Sequence, residues 1–100
     1  MADVFLEVIM DVGDLLSAGF EARDEIEDSL GEALEGAGLG QVTGGGGGGG
    51  NSVIDVEIAD ESKLAQALSV IRETLKRLEV PESTTIKRST PAETIYRVYD

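Results

Sequence analysis

One hundred residues make one domain of ordinary size, and the 41% hydrophobic but only 4% aromatic content requires a core of Val, Ile, Leu and Ala. The chain has no cysteine and no histidine, which excludes disulfides, zinc–thiolate sites, thiol catalysis and the commonest general base. Twenty acids against eight bases give a net charge of −12, a field that repels nucleic acid and anionic membrane and steers a basic partner inward.

The acidity is uneven. Residues 1–61 hold fifteen acids and one base, Arg23, whereas residues 62–100 hold five acids and seven bases. Two readings require no partner: acidic surfaces keep proteins soluble, and a salt-loving host favours acids over lysines, of which there are three. Apolar runs reach only a few residues, so no membrane span is expected. Met1-Ala2-Asp3 leads into Val4-Phe5-Leu6 with no basic segment, which predicts no signal peptide and a cytoplasmic location.

In chain order, Val4 to Val12 alternates as a strand, with Leu6, Val8, Met10 and Val12 on one face and Phe5, Glu7, Ile9 and Asp11 on the other. Gly13-Asp14 is expected to end it. A helix is expected from about Ser17 or Phe20 to Gly36, with Phe20, Ile26, Leu30, Ala33, Leu34 and Ala37 as its apolar stripe. Gly36 and Gly38 supply its C-terminal stop, since glycine accepts the left-handed conformation. Leu39–Thr43 reads as a short strand, and seven glycines, Gly44–Gly50, follow as a flexible hairpin loop.

Ser52–Ile58 alternates again, with Ile54, Val56 and Ile58 on one face and Val53, Asp55 and Glu57 on the other. Asp60 is the expected N-cap of a second helix carrying Leu64, Ala67, Leu68, Ile71, Leu75 and Leu78 on one face, with Pro81 as its stop. Thr84–Arg88 and Thr94–Tyr99 read as two short strands about a turn at Ser89-Thr90-Pro91. The order predicts an α+β fold: a ferredoxin-like βαββαβ antiparallel sheet with two helices on one face, plus a short extra C-terminal strand, forming a single domain over residues 1–100.

The motifs carry little chemistry. The glycine run matches G-x-G-x-x-G trivially, but it leads through Asn51-Ser52 into a strand rather than a helix and lacks the lysine of a phosphate loop. Asp55 and Glu57 share a strand face that Glu7 or Asp11 could join, yet no calcium-loop spacing and no nucleophile with an adjacent base is present. No enzyme activity, cofactor or metal is therefore expected.

The stronger signal is the first long helix. Seven acids and one base fall within residues 21–35, and the i,i+4 pairs Glu21–Glu25, Asp24–Asp28 and Asp28–Glu32 are of like sign. A rigid row of carboxylates can imitate phosphates to the basic groove of a nucleic-acid enzyme. Glu21, Asp24, Glu25, Asp28, Glu32 and Glu35 are the expected partner-binding residues. Lys63, Arg72, Lys76, Arg77, Lys87 and Arg88 are expected to form a contrasting patch, able to meet an acidic partner or the acidic helix in a homodimer.

The segment Gln41-Val42-Thr43 with the glycines, then Ile54-Asp55-Val56-Glu57-Ile58, the leucine-rich helix and Pro81, resembles small uncharacterised bacterial ferredoxin-like proteins, some of which look like toxin-immunity proteins. The resemblance covers about residues 4–88, and its motifs are structural. It implies a stoichiometric, non-enzymatic binder. The expected function is thus an acidic protein-binding module, an immunity-type inhibitor that blocks a bacterial toxin domain. The alternatives are a dimeric small-ligand-binding regulatory domain and a structural domain with a halophile-like surface.

Overall fold

The computed structural model describes residues 4–20, 24–88 and 94–99. It is an α+β fold of five antiparallel strands and three helices: β1 (Val4–Asp11), α1 (Val12–Ser17), α2 (Asp24–Gly36), β2 (Gly40–Gly48), β3 (Asn51–Ile58), α3 (Leu64–Arg77), β4 (Thr85–Arg88) and β5 (Thr94–Arg97). A 3-10 turn, Glu61–Lys63, leads into α3. The strands lie side by side in the order β2-β3-β1-β4-β5, so β2 and β5 are the edge strands among the described residues.

Alternation in the sequence becomes the two faces of this sheet. Val4, Leu6, Val8 and Met10 of β1 and Ile54, Val56 and Ile58 of β3 are buried beneath the helices. Phe5, Glu7, Ile9, Val53, Asp55 and Glu57 point to the open side. A slip of one residue in the β1–β3 register would exchange the two sets, so the hydrophobic pattern itself fixes the pairing.

The helices close the other layer. Ile26, Leu30 and Leu34 of α2 and Ala67, Leu68, Ile71 and Leu75 of α3 are buried at helical spacing, and the two helices pack on each other. Leu64 and Leu78 are half-buried against the same core. Of the other residues in the expected α2 stripe, Ala33 is only half-buried, Ala37 is exposed, and Phe20 precedes the helix.

Caps explain where these elements begin and end. Asp60 accepts a hydrogen bond from the Ser62 amide at 2.9 Å and starts the 3-10 turn, one turn before α3 proper. Its hydrogen bonds with Ser62 hold this carboxyl below its ordinary pKa. At the end of α2, Gly38 takes φ of +68°, and the Leu39 amide reaches back to the Leu34 carbonyl at 3.0 Å. That closure tucks Leu39 into the core.

Three boundaries differ from the sequence expectation. The chain enters helix α1 at Val12, because the Asp11 carboxylate accepts from the Asp14 amide at 2.9 Å and caps a helical turn at once. Ser17 ends α1 rather than opening the long helix, and α2 is described from Asp24. Most consequentially, Gly44–Gly48 are not loop: they continue β2 and pair with Asp55 through Asn51 of β3, leaving only Gly49-Gly50 as the turn. Both turn glycines have positive φ, +58° and +84°, which suits a two-residue hairpin matched to strand twist. The expected turn at Ser89-Thr90-Pro91 lies outside the described residues.

The C-terminal segment is tied back to the body. The Tyr99 hydroxyl donates to the Val80 carbonyl at 2.6 Å, and the Arg72 Nε donates to the Arg97 carbonyl at 2.9 Å. Burial pushes the Tyr99 phenol above its ordinary pKa, with Glu82 and Glu79 adding to the shift.

Candidate partner-binding surface

Helix α2 buries one stripe and turns the rest outward. Asp24, Glu25, Asp28, Glu32 and Glu35 are all exposed, while Glu21 lies outside the described residues. Among the described residues, none of the five takes part in an ion pair or a side-chain hydrogen bond. Asp24 and Glu25 sit in the first turn, where a negative charge opposes the positive end of the helix dipole favourably. Asp28, Glu32 and Glu35 have no such compensation, and no base occupies the last turn of α2. Among the described residues the arrangement presents to solvent a row of carboxylates that are in no ion pair.

The expected basic patch does not form. Lys63 donates to the Gly38 carbonyl at 3.1 Å, beside the end of α2, and Arg88 pairs with Glu61 at 3.3 Å. Lys76 and Arg77 lie in the last turn of α3. Lys63 and Lys76 therefore flank opposite ends of a helix roughly 20 Å long by its rise per residue. Lys87 faces the open side of the sheet, opposite Glu7. The cations are spread because they bracket separate elements, and spacing along the sequence could not reveal that.

Strand pairing assembles a second acidic region on the open sheet face. Register places Glu7 opposite Asp55 and Phe5 opposite Glu57, while Asp11 lies opposite Asn51. Carboxylates directly across a strand pair repel. Glu57 accepts a hydrogen bond from the Gln41 Nε2 at 3.0 Å. The adjoining strand β2 has no side chains over Gly44–Gly48, so the surface falls away there into a shallow depression of about 410 Å³. Glu7, Asp55, Ile9 and Val53 stand beside its glycine floor. A second depression of about 410 Å³ at the start of β2 is lined by Glu35, Glu57 and Gln41 among others. Every ionisable residue lining either depression is an acid.

The shared face of Asp55 and Glu57 was legible in the sequence; that Glu7 rather than Asp11 joins it, and that strand glycines floor the depression beside it, depends on the register. Among the described residues no group of three or more His, Cys, Asp or Glu is placed to hold a metal ion. No described helix is long and apolar enough to cross a membrane. A scan against family models, a search of curated proteins and a search of solved structures each return no match.

Proposed function

We propose that this chain is a non-enzymatic acidic protein-binding module, an immunity-type inhibitor that occupies the basic active site or substrate groove of a bacterial toxin in the cytoplasm. The observation that carries the reading is the exposed row Asp24, Glu25, Asp28, Glu32 and Glu35, held on one helix with none of the five in an ion pair among the described residues. A preformed charged face accelerates encounter with an oppositely charged partner and sets its orientation. The fold we assign to it is ferredoxin-like. Support comes from the strand order, in which β3 lies between β1 and β2 and β1 lies between β3 and β4. All these neighbours are antiparallel, so β1 and β2 run parallel, as do β3 and β4, giving two interleaved split βαβ units.

The test is capture from the native lysate with the tagged protein and, in parallel, a variant carrying Asp24→Asn, Glu25→Gln, Asp28→Asn, Glu32→Gln and Glu35→Gln. A basic protein retained in stoichiometric amount by the parent, released by salt and absent from the variant supports the proposal. Equal retention by both removes the α2 assignment. A second reading, a homodimer enclosing a small ligand over the open sheet face, draws on Phe5 and Ile95, each 53% exposed on that face. Sedimentation equilibrium separates the two, since the dimer reading requires self-association without a partner.

A further inference from the structure

The outer edge of β2, an edge strand among the described residues, is unusual for a sheet of this kind. Edge strands present outward-facing amides and carbonyls and are ordinarily protected by lysine, proline or covering side chains. Over Gly44–Gly48 this edge is exposed and carries no side chain at all, and a bulge at Thr43 sets the five-residue run apart from the start of the strand. The two-residue turn fixes which groups face outward. In such a hairpin the closing pair, Gly48 and Asn51, is hydrogen-bonded, and hydrogen-bonded pairs then alternate. Gly46 and Gly44 follow in that phase, so the amides and carbonyls of Gly45 and Gly47 point away from β3.

Beside this edge the charge is of one sign. Asp55 stands opposite Gly44, and an added Cβ at Gly44 would lie 3.9 Å from its Oδ2. Glu7 lies one strand further in, between Asp55 and Lys87. A strand added outside β2 would sit about 9.6 Å from β3, two strand spacings away. A lysine or arginine side chain of about 6 Å on that strand, directed to the open face opposite Gly44 or Gly46, crosses glycine only and reaches Asp55. Its methylenes would lie over the depression flanked by Ile9 and Val53.

We infer that the Gly44–Gly48 edge of β2 is a docking site for an extended segment of a basic partner, which adds as an antiparallel sixth strand, like every described pair of this sheet, with its hydrogen bonds on Gly45 and Gly47 and its basic side chains directed to Asp55. This rests on the proposed function in taking the partner to be basic, and it adds the conformation of the segment and the groups that read it. Backbone pairing supplies affinity in this mode, and alternate side chains supply specificity.

The geometry makes an asymmetric prediction about backbone methylation. The probe is an end-capped octapeptide of alternating lysine and valine, measured by fluorescence anisotropy at low salt against two N-methylated forms. With lysines on the open face of an antiparallel added strand, the valines lie directly opposite Gly45 and Gly47, and their amides are those that bond there. N-methylation of the valines is expected to weaken binding at least tenfold, whereas N-methylation of the lysines leaves it within about twofold. Amide exchange read by NMR should slow at Gly45 and Gly47 on binding, and Asp55→Asn should weaken the peptide while the five-fold α2 variant does not. Equal affinity for all three peptides, or loss of binding in the α2 variant alone, overturns the edge site while leaving an acidic binder. Failure of all three peptides to bind, or protection of Gly45 and Gly47 in a peptide-free dimer, overturns it also, the latter in favour of a second copy. The basic-partner reading itself stands or falls on the capture experiment.

Discussion

Replacing Glu32 by lysine should stabilise the fold. Glu32 is exposed on α2, four residues after Asp28 and three before Glu35, so it takes part in two like-charge helical pairs. Each such pair costs about 0.2–0.5 kcal/mol, and an opposite-charge pair at the same spacing gains a similar amount. Reversing both gives a swing of roughly 0.8–2 kcal/mol, and solvent exposure places the expected gain near the lower end, about 1 kcal/mol. For a domain of this size that raises the Tm by roughly 4–8 °C. Glu32→Gln, which removes repulsion without adding attraction, should give about half as much. The assay is thermal unfolding followed by circular dichroism at low ionic strength and again in 1 M salt, where the screening length of about 3 Å removes most of the difference. No gain at low salt, or the same gain in 1 M salt, would refute the claim that the α2 row is self-repelling. The same substitution should weaken a basic partner, so stability and binding move in opposite directions, as expected where a surface is kept for function at a cost in stability.

Other perturbations probe the scaffold. Leu30→Ala removes a fully buried side chain between α2 and the sheet and should cost about 3 kcal/mol in denaturant unfolding; a loss below 1 kcal/mol would contradict its place in the core. Glycines along β2 should divide sharply. Gly40→Ala brings its Cβ to 2.2 Å from the Glu57 carbonyl oxygen and should destabilise by about 1–3 kcal/mol. Gly46→Ala meets nothing within 4 Å and should stabilise by about 0.5–1 kcal/mol, with equal effects at both sites contradicting the β2–β3 register. Because Tyr99 titrates above its ordinary value in the folded protein, its contribution is complete below the unfolded phenol's pKa of 10.0 and is lost as pH rises through the raised one. Unfolding followed across alkaline pH should show that decline, and Tyr99→Phe should flatten it.

The elements readable in the sequence are those whose side chains declare a period. β1, β3 and α3 each carry apolar residues at one spacing, and the structure buries them except Leu64 and Leu78, which are half-buried, and Val12, which was expected on the buried face of the first strand and lies exposed in α1. Strand β2 could be read only at its start, within Leu39–Thr43, since the glycines that follow have no side chain to alternate. Its extent is imposed by pairing with the strongly patterned β3. Helix α1 was hidden for another reason: its cap, Asp11, is the last residue of β1, so strand and helix share a boundary without a loop. At the candidate surface, the exposure of Asp24, Glu25, Asp28, Glu32 and Glu35 follows from helical spacing around Ile26, Leu30 and Leu34. The choice of Glu7 over Asp11 as the neighbour of Asp55 needed the register, and the scattering of the basic residues needed the tertiary arrangement.

The most direct measurement of the central claim is the affinity of the captured basic partner for the parent protein and for the five-fold α2 variant, titrated from low to high salt. The account predicts that parent affinity falls steeply with ionic strength, and that the variant binds at least tenfold more weakly at low salt with a much shallower salt dependence. Identical affinities and salt slopes for the two proteins would contradict it, and would leave the acidic helix as a solvated surface with no partner.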